Sequence, residues 1–240
     1  MNSLPLRLRY QTIEVGNTDI HLCTLRDNQQ FNDPEGAADA LGISSAAWPI
    51  FGVLWPSGLV LANHMLDCPI EGKRILEIGC GIALSSLLLN GRQANITATD
   101  YHPEVEHFLV RNTLLNQGKS IAFERADWAD DRSELGLFDL IIGSDLLYED
   151  EHVQLLAEFI NNHAKPRCDV ILVDPGRGRK TKISVKLAAH GFSNSHTKPV
   201  HTDYLEKPFK GHILEFSRNI SRPTLDTFGS ETYYTRRFHR

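Results

Sequence analysis

From about Arg74 onward, short apolar runs alternate with longer stretches in which apolar positions recur every three or four residues. That rhythm predicts strands and helices wound into a mostly parallel sheet. The strands fall at residues 74–78, 95–100, 121–126, 138–144 and 169–174, and the helices between and after them at 83–90, 103–117, 151–164 and 180–190. The pattern then changes: 193–201 and 211–218 read as two extended segments joined by a polar connection with Pro208 and Gly211. An antiparallel pair finishing the sheet is expected there.

Ahead of this core, 6–15 and 19–25 flank Gly16-Asn17-Thr18 and predict an N-terminal hairpin. Residues 27–35 are polar and 46–66 apolar, and Pro56 at a first helical turn predicts a helix over 56–66. Beyond Arg218 no periodicity remains, so the tail is expected to be irregular or partly extended; its aromatic residues Phe228, Tyr233, Tyr234 and Phe238 either meet a partner or pack on the protein's own surface. The organisation expected is an N-terminal hairpin extension over 1–45, one domain over 46–218 and a tail over 219–240.

Composition narrows the function. Thirty acidic against 25 basic residues leave a formal charge of -5, which argues against binding nucleic acid through bulk electrostatics. No apolar run approaches the roughly 18 residues of a membrane helix, and the first residues lack the apolar core of a signal peptide, so a cytoplasmic protein without membrane association is expected. Cys23, Cys68, Cys80 and Cys168 are scattered, and the histidines form no H-x-x-x-H or H-E-x-x-H pattern. Reduced thiols and no metal site are the expectation.

The chemical signal is "ILEIGCGIALSS", where a strand ends at Glu77-Ile78-Gly79-Cys80-Gly81 and runs into a helix near Ala83. Glycines let the backbone turn sharply and approach a ligand, and the helix start offers unpaired N–H groups. A dinucleotide fingerprint needs a small residue where this chain has Leu84, which disfavours NAD. Glu77, just before the loop, repels phosphates but suits a ligand bearing an amino group and a sulfonium, and S-adenosylmethionine (SAM) is such a ligand. The next strand ends in Asp100, placed to accept from both ribose hydroxyls, and the third in Asp127-Trp128, an acceptor for an adenine amino group beside a flat apolar surface. Each has a structural alternative: Asp100 as a helix cap, Trp128 as core. "DPGRGRKT" lacks P-loop spacing.

With "LEIGCG", "TATDYHP", "RNTLLN", "ADWAD" and "FDLIIGSDLLYED" in place, the chain resembles the class I, seven-stranded SAM-dependent methyltransferases. More narrowly, it resembles the protein lysine methyltransferases that carry Asp-x-x-Tyr after strand four. "VLWPSGLVLANHML" is similar to the Trp-Pro segment that precedes the core in that family, and "VDPGRGR" resembles the branch acting on the electron-transfer flavoprotein β subunit. The resemblance, over about 46–218, implies a Rossmann-like α/β fold of six parallel strands and a last antiparallel one. It further implies that Glu77, Gly79 and Gly81 border the methionine half of SAM, Asp100 holds the ribose, Asp127 and Trp128 meet the adenine, Trp55 covers the cofactor and Ser144 lies near the methionine amine.

Methyl transfer requires a positioned, deprotonated nucleophile. Under the resemblance, Asp145 and Tyr148 are the catalytic candidates, the carboxylate anchoring the acceptor amine and the ring lining its path. Glu149 or Asp150 is placed to cap the next helix, leaving Asp145 for that task. Arg177 and Arg179 either bind an acidic part of a substrate or are solvated. The expected function is transfer of a methyl group from SAM to a protein lysine, with nucleic acid an unfavoured partner. The alternatives are a small-molecule or RNA methyltransferase and a non-catalytic binding subunit of the same fold.

Overall fold

A computed structural model describes residues 6–130, 133–148 and 150–220 of the chain. The apolar runs become strands β3 (Arg74–Ile78), β4 (Asn95–Asp100), β5 (Ala122–Arg125), β6 (Phe138–Ser144) and β7 (Ala164–Asp174), preceded by a hairpin of β1 (Leu8–Val15) and β2 (Thr18–Leu25) and followed by β8 (Ser193–Thr197) and β9 (His212–Asn219). The main sheet has seven strands in the order β5-β4-β3-β6-β7-β9-β8. Neighbours from β5 to β7 are parallel, and β9 runs antiparallel to both β7 and β8.

Alternation along the strands divides the core. Ile75, Ile96, Leu140, Ile142, Ile171 and Val173 face one layer, with helices α1 (Pro56–His64), α2 (Leu84–Gly91) and α3 (Val105–Leu115). Leu76, Ile78, Ile141, Val170 and Leu172 face the other, with α4 (Asp150–His163) and α5 (Lys180–Ala189). Both faces being covered, the central strands need apolar residues at successive positions, which is why they appear in sequence as unbroken runs. At the edge, β8 is polar and exposed throughout, a composition that discourages pairing with another chain.

The hairpin is bound into this core. Val15, Ile20, Leu22 and Leu25 belong to the first layer. Asn112 of α3 and Asn116, the C-cap just past it, meet the edge of β2: Asn112 Oδ1 accepts from the Cys23 amide at 2.7 Å, and Asn116 Oδ1 accepts from the His21 amide at 2.8 Å. Asn112 is fully buried, so this contact excludes water.

Several boundaries differ from the sequence expectation for local reasons. β7 begins at Ala164, five residues before the expected 169, because Ala164 already pairs with Phe138 across a register irregularity. α3 begins at Val105, since Asp100 Oδ1 takes the His102 amide at 2.9 Å and holds the chain in a turn past Pro103. β8 stops at Thr197, before Pro199, which has no amide to offer a ladder. The aromatic tail residues Phe228, Tyr233, Tyr234 and Phe238, and Glu149, lie outside the described residues.

Candidate functional site

The site is built where β3, β4, β6 and β7 reach their C-terminal ends, the crevice in which open α/β sheets hold ligands. Gly79 (φ 59°) and Gly81 (φ 53°) turn the chain after β3 in the left-handed region. A Cβ on Gly79 would stand 2.5 Å from Leu146 Cδ2, and one on Gly81 would stand 2.9 Å from the Phe51 carbonyl oxygen. Ala83 also adopts positive φ (60°), and this delays α2 to Leu84 instead of the expected 83.

Two buried carboxylates brace this turn. Glu77 accepts from the Ser86 amide at 2.9 Å and from the Ser86 hydroxyl. Burial, opposed by those hydrogen bonds, pushes its pKa up to about 7. Asp100 accepts from the Gly81 amide through Oδ2 and from the His102 amide through Oδ1. Its pKa is also raised by burial, against the backbone amides that favour its charge. Asp100 therefore does not cap α3, whose N-cap is Glu104; it holds the turn ahead of that helix, and the same carboxylate lines the crevice.

The crevice, about 740 Å³ including its open mouth, is lined by Trp55, Glu77, Gly79, Gly81, Asp100, Ser144, Asp145 and Tyr148. An adjoining hollow is lined by Asp100, Tyr101, Asp127, Trp128 and Tyr148. Asp100 and Tyr148 belong to both, so the two compartments meet there. All ten residues singled out in the sequence thus come together, from elements separated by up to 93 positions between Trp55 and Tyr148.

Local contacts fix the walls. The Trp55 indole N–H donates to the Ile50 carbonyl at 2.9 Å, setting the ring at the head of α1. The Tyr101 hydroxyl donates to the Leu41 carbonyl at 2.9 Å, drawing the N-terminal segment over the second hollow. Asp127 Oδ1 accepts from the Ala129 amide at 2.9 Å, and Trp128 meets His152 edge to face at 6.2 Å.

At the other end, Asp145 follows β6 in the left-handed region (φ 55°), and its amide donates to the Val173 carbonyl at 2.9 Å. Its side chain is buried, with 6% of the residue exposed. Arg177 Nε donates to Asp145 Oδ1 at 2.7 Å, and the guanidinium lies 4.6 Å from the centroid of the Tyr148 ring. The pair raises the pKa of Arg177, while burial and the neighbouring Asp145 charge push the Tyr148 phenol up to about 12. Arg177 thus contacts Asp145 and Tyr148, a contact that neither reading above includes, while its side chain stays 38% exposed.

Sequence reasoning passed over several wall residues. Ser85, in the first turn of α2, lines the crevice with a buried hydroxyl that has no hydrogen-bond partner among the described residues. Its signal was the "ALSS" that follows the glycine turn. Phe51 and Gly58 also line the crevice, brought there by the 3-10 helix Trp48–Gly52 and by α1, which periodicity alone did not join to the glycine turn. No cluster of metal-ligating side chains occurs among the described residues.

A seven-stranded sheet with one antiparallel strand and a glycine-lined crevice at its carboxyl edge defines the class: an α/β protein of methyltransferase fold. The same fold occurs in a T. thermophilus 16S rRNA methyltransferase solved with AdoMet and guanosine (TM-score 0.61, 15% identity, 90% of this chain and 52% of that one). It occurs too in the magnesium protoporphyrin IX methyltransferase of Synechocystis with bound SAM (TM-score 0.53, 22% identity, 67% and 76%).

The chain belongs to the lysine methyltransferase family, whose model matches residues 44–186. It is 34% identical over 119 residues to a histidine protein methyltransferase 1 homolog of Dictyostelium discoideum (46% of this chain, 38% of the relative). It is 31% identical over 121 residues to a protein N-lysine methyltransferase of Danio rerio (47% and 55%). With the electron transfer flavoprotein beta subunit lysine methyltransferase of Mus musculus it shares 26% identity over 143 residues (58% and 55%). The chain spans about half the length of the curated relatives it matches.

Proposed function

We propose that the protein transfers a methyl group from SAM to a lysine side chain of a protein substrate. The observation that carries this reading is the Asp145–Tyr148 pair at the mouth of the glycine-lined crevice, a carboxylate and an aromatic face that together hold a cation. Family membership and relatives named for protein side chains support a protein acceptor.

The residues present fit SAM. The turn at Gly79 and Gly81 lines the crevice with backbone and no side chain, and the buried, unpartnered Ser85 hydroxyl offers a donor in the same wall. When bound, SAM supplies a methyl group on a sulfonium, already activated for transfer. Glu77, Gly79 and Gly81 would border the methionine end, Ser144 would meet its amine, and Asp100 would take the ribose hydroxyls. Asp127 and Trp128 would receive the adenine, and Trp55 would cover the cofactor. Asp145 anchors the incoming amine and Tyr148 flanks its stem, with the walls excluding water from the reacting nitrogen.

No helix among the described residues is long and apolar enough to cross a membrane, and the proposed setting is the cytoplasm. The test combines calorimetric titration with SAM and mass spectrometry of cell-lysate proteins after incubation with labelled SAM. Binding of SAM and label on lysine are expected. Label confined to RNA or small metabolites overturns the acceptor, and folded protein without SAM affinity overturns the enzyme. Asp145→Ala is expected to keep SAM binding and lose transfer; a fully active variant removes Asp145 from the mechanism.

A further inference from the structure

We infer that Arg177 is a resident occupant of the acceptor subsite, which an incoming cationic side chain must displace; this rests on the reading of Asp145 and Tyr148 as that subsite. The guanidinium makes both contacts assigned to the acceptor, 2.7 Å to the carboxylate and 4.6 Å to the ring centroid. A second cation cannot make the same pair of contacts, Oδ1 and the ring face together, while the guanidinium holds them.

The surroundings suit an exchange. Asp145 is buried and would be costly to leave unpaired, whereas the Arg177 side chain keeps 38% of its surface in water. Arg177 sits between two positive-φ glycines, Gly176 (φ 101°) and Gly178 (φ 82°), in the turn from β7 to α5. A Cβ built on Gly178 meets nothing within 4 Å, so that side of the turn has room to move.

Exchange of one cation for another leaves the buried carboxylate paired before and after. A neutral alcohol or thiol gives no such compensation and does not displace Arg177. The side chain therefore acts as a specificity determinant favouring ammonium and guanidinium acceptors. It also weakens apparent binding in inverse proportion to the fraction of molecules in which the subsite is open.

The test uses n-butylammonium and ethylguanidinium as probes, titrated by NMR into wild-type protein, Arg177→Ala and Arg177→Gln. The glutamine variant keeps most of the stem over Tyr148 and guards against a folding failure in the alanine variant. Both variants are expected to bind the probes about tenfold more tightly than wild type or better, as removal of an occupant filling about 90% of the subsite requires. Adding Asp145→Asn to Arg177→Ala is expected to abolish the gain. Equal affinity in wild type and Arg177→Ala, no binding by either single variant, or a gain that survives Asp145→Asn overturns the inference. The probes need no SAM, so failure of the methyltransferase reading shows separately as absent SAM binding.

Discussion

The Asp100 carboxylate accepts a hydrogen bond from the Gly81 amide across 2.9 Å, tying the end of β4 to the glycine turn after β3. Its other oxygen holds the His102 amide at the same distance. One side chain thereby shapes the floor of the crevice and starts the turn into α3. Asp100→Asn sets an amide N–H₂ against one of those two backbone donors. The expected loss is about 1.5–3 kcal/mol of stability, the range for a hydrogen bond to a charged group, read by denaturant unfolding. SAM affinity is expected to fall with it in calorimetry.

Glu77 is expected to make the affinity for SAM depend on pH. Burial disfavours the ionised form and pushes its pKa in the folded protein up to about 7, from the ordinary 4.5. In the ligand-free protein its contribution to stability is therefore fully present below pH 4.5 and lost as pH rises through about 7. A cationic ligand selects the ionised form, so its affinity moves in the opposite sense. Binding is expected to be about fivefold weaker at about pH 6 than at about pH 7. Calorimetric titrations of wild type and Glu77→Gln across that range check this, the variant giving the flatter profile.

His102 gives the acid limb of stability. Its ring stacks on Phe51 at 4.1 Å and meets Trp48 edge-on at 5.3 Å, and burial lowers its pKa from 6.5 to about 4. The stability it contributes is present above pH 6.5 and lost as pH falls through about 4, because the buried ring must then take a charge. His102→Phe keeps the aromatic packing without the titration. Unfolding measured between these limits is expected to show a smaller acid loss in the variant than in wild type.

Two glycines with positive φ separate backbone strain from crowding. Gly72→Ala (φ 70°) places its methyl in open space and is expected to cost about 1 kcal/mol, the left-handed penalty alone. Gly81→Ala (φ 53°) adds a contact of 2.9 Å with the Phe51 carbonyl, a backbone atom that cannot rotate away. Its expected cost is about 2–4 kcal/mol. It is also expected to narrow the crevice and reduce SAM binding, whereas Gly72→Ala leaves binding unchanged.

The local order of the fold was carried by periodicity: the apolar runs that became β3, β4 and β6 and the glycine turn between β3 and α2 were readable one after another. So were the acidic ends at Glu77, Asp100 and Asp127, since a strand's last residues reach the carboxyl edge whatever surrounds them. The positive φ of Ala83 and Asp145 was not readable, because neither residue type asks for it and only packing holds it there. Nor was the place of the hairpin: its edge is met by Asn112 and Asn116, about 90 positions away in sequence.

The sequence by itself determined which residue types stand at the mouth of each strand, because alternation and turn chemistry act over a few neighbours. Tertiary structure alone decided what those residues meet. Asp145 and Arg177 lie 32 positions apart, and they touch because β6 pairs in parallel with β7, Ser144 beside Val173. A carboxylate's partner depends on distances across the sheet, and these exist only once the strands have been laid side by side.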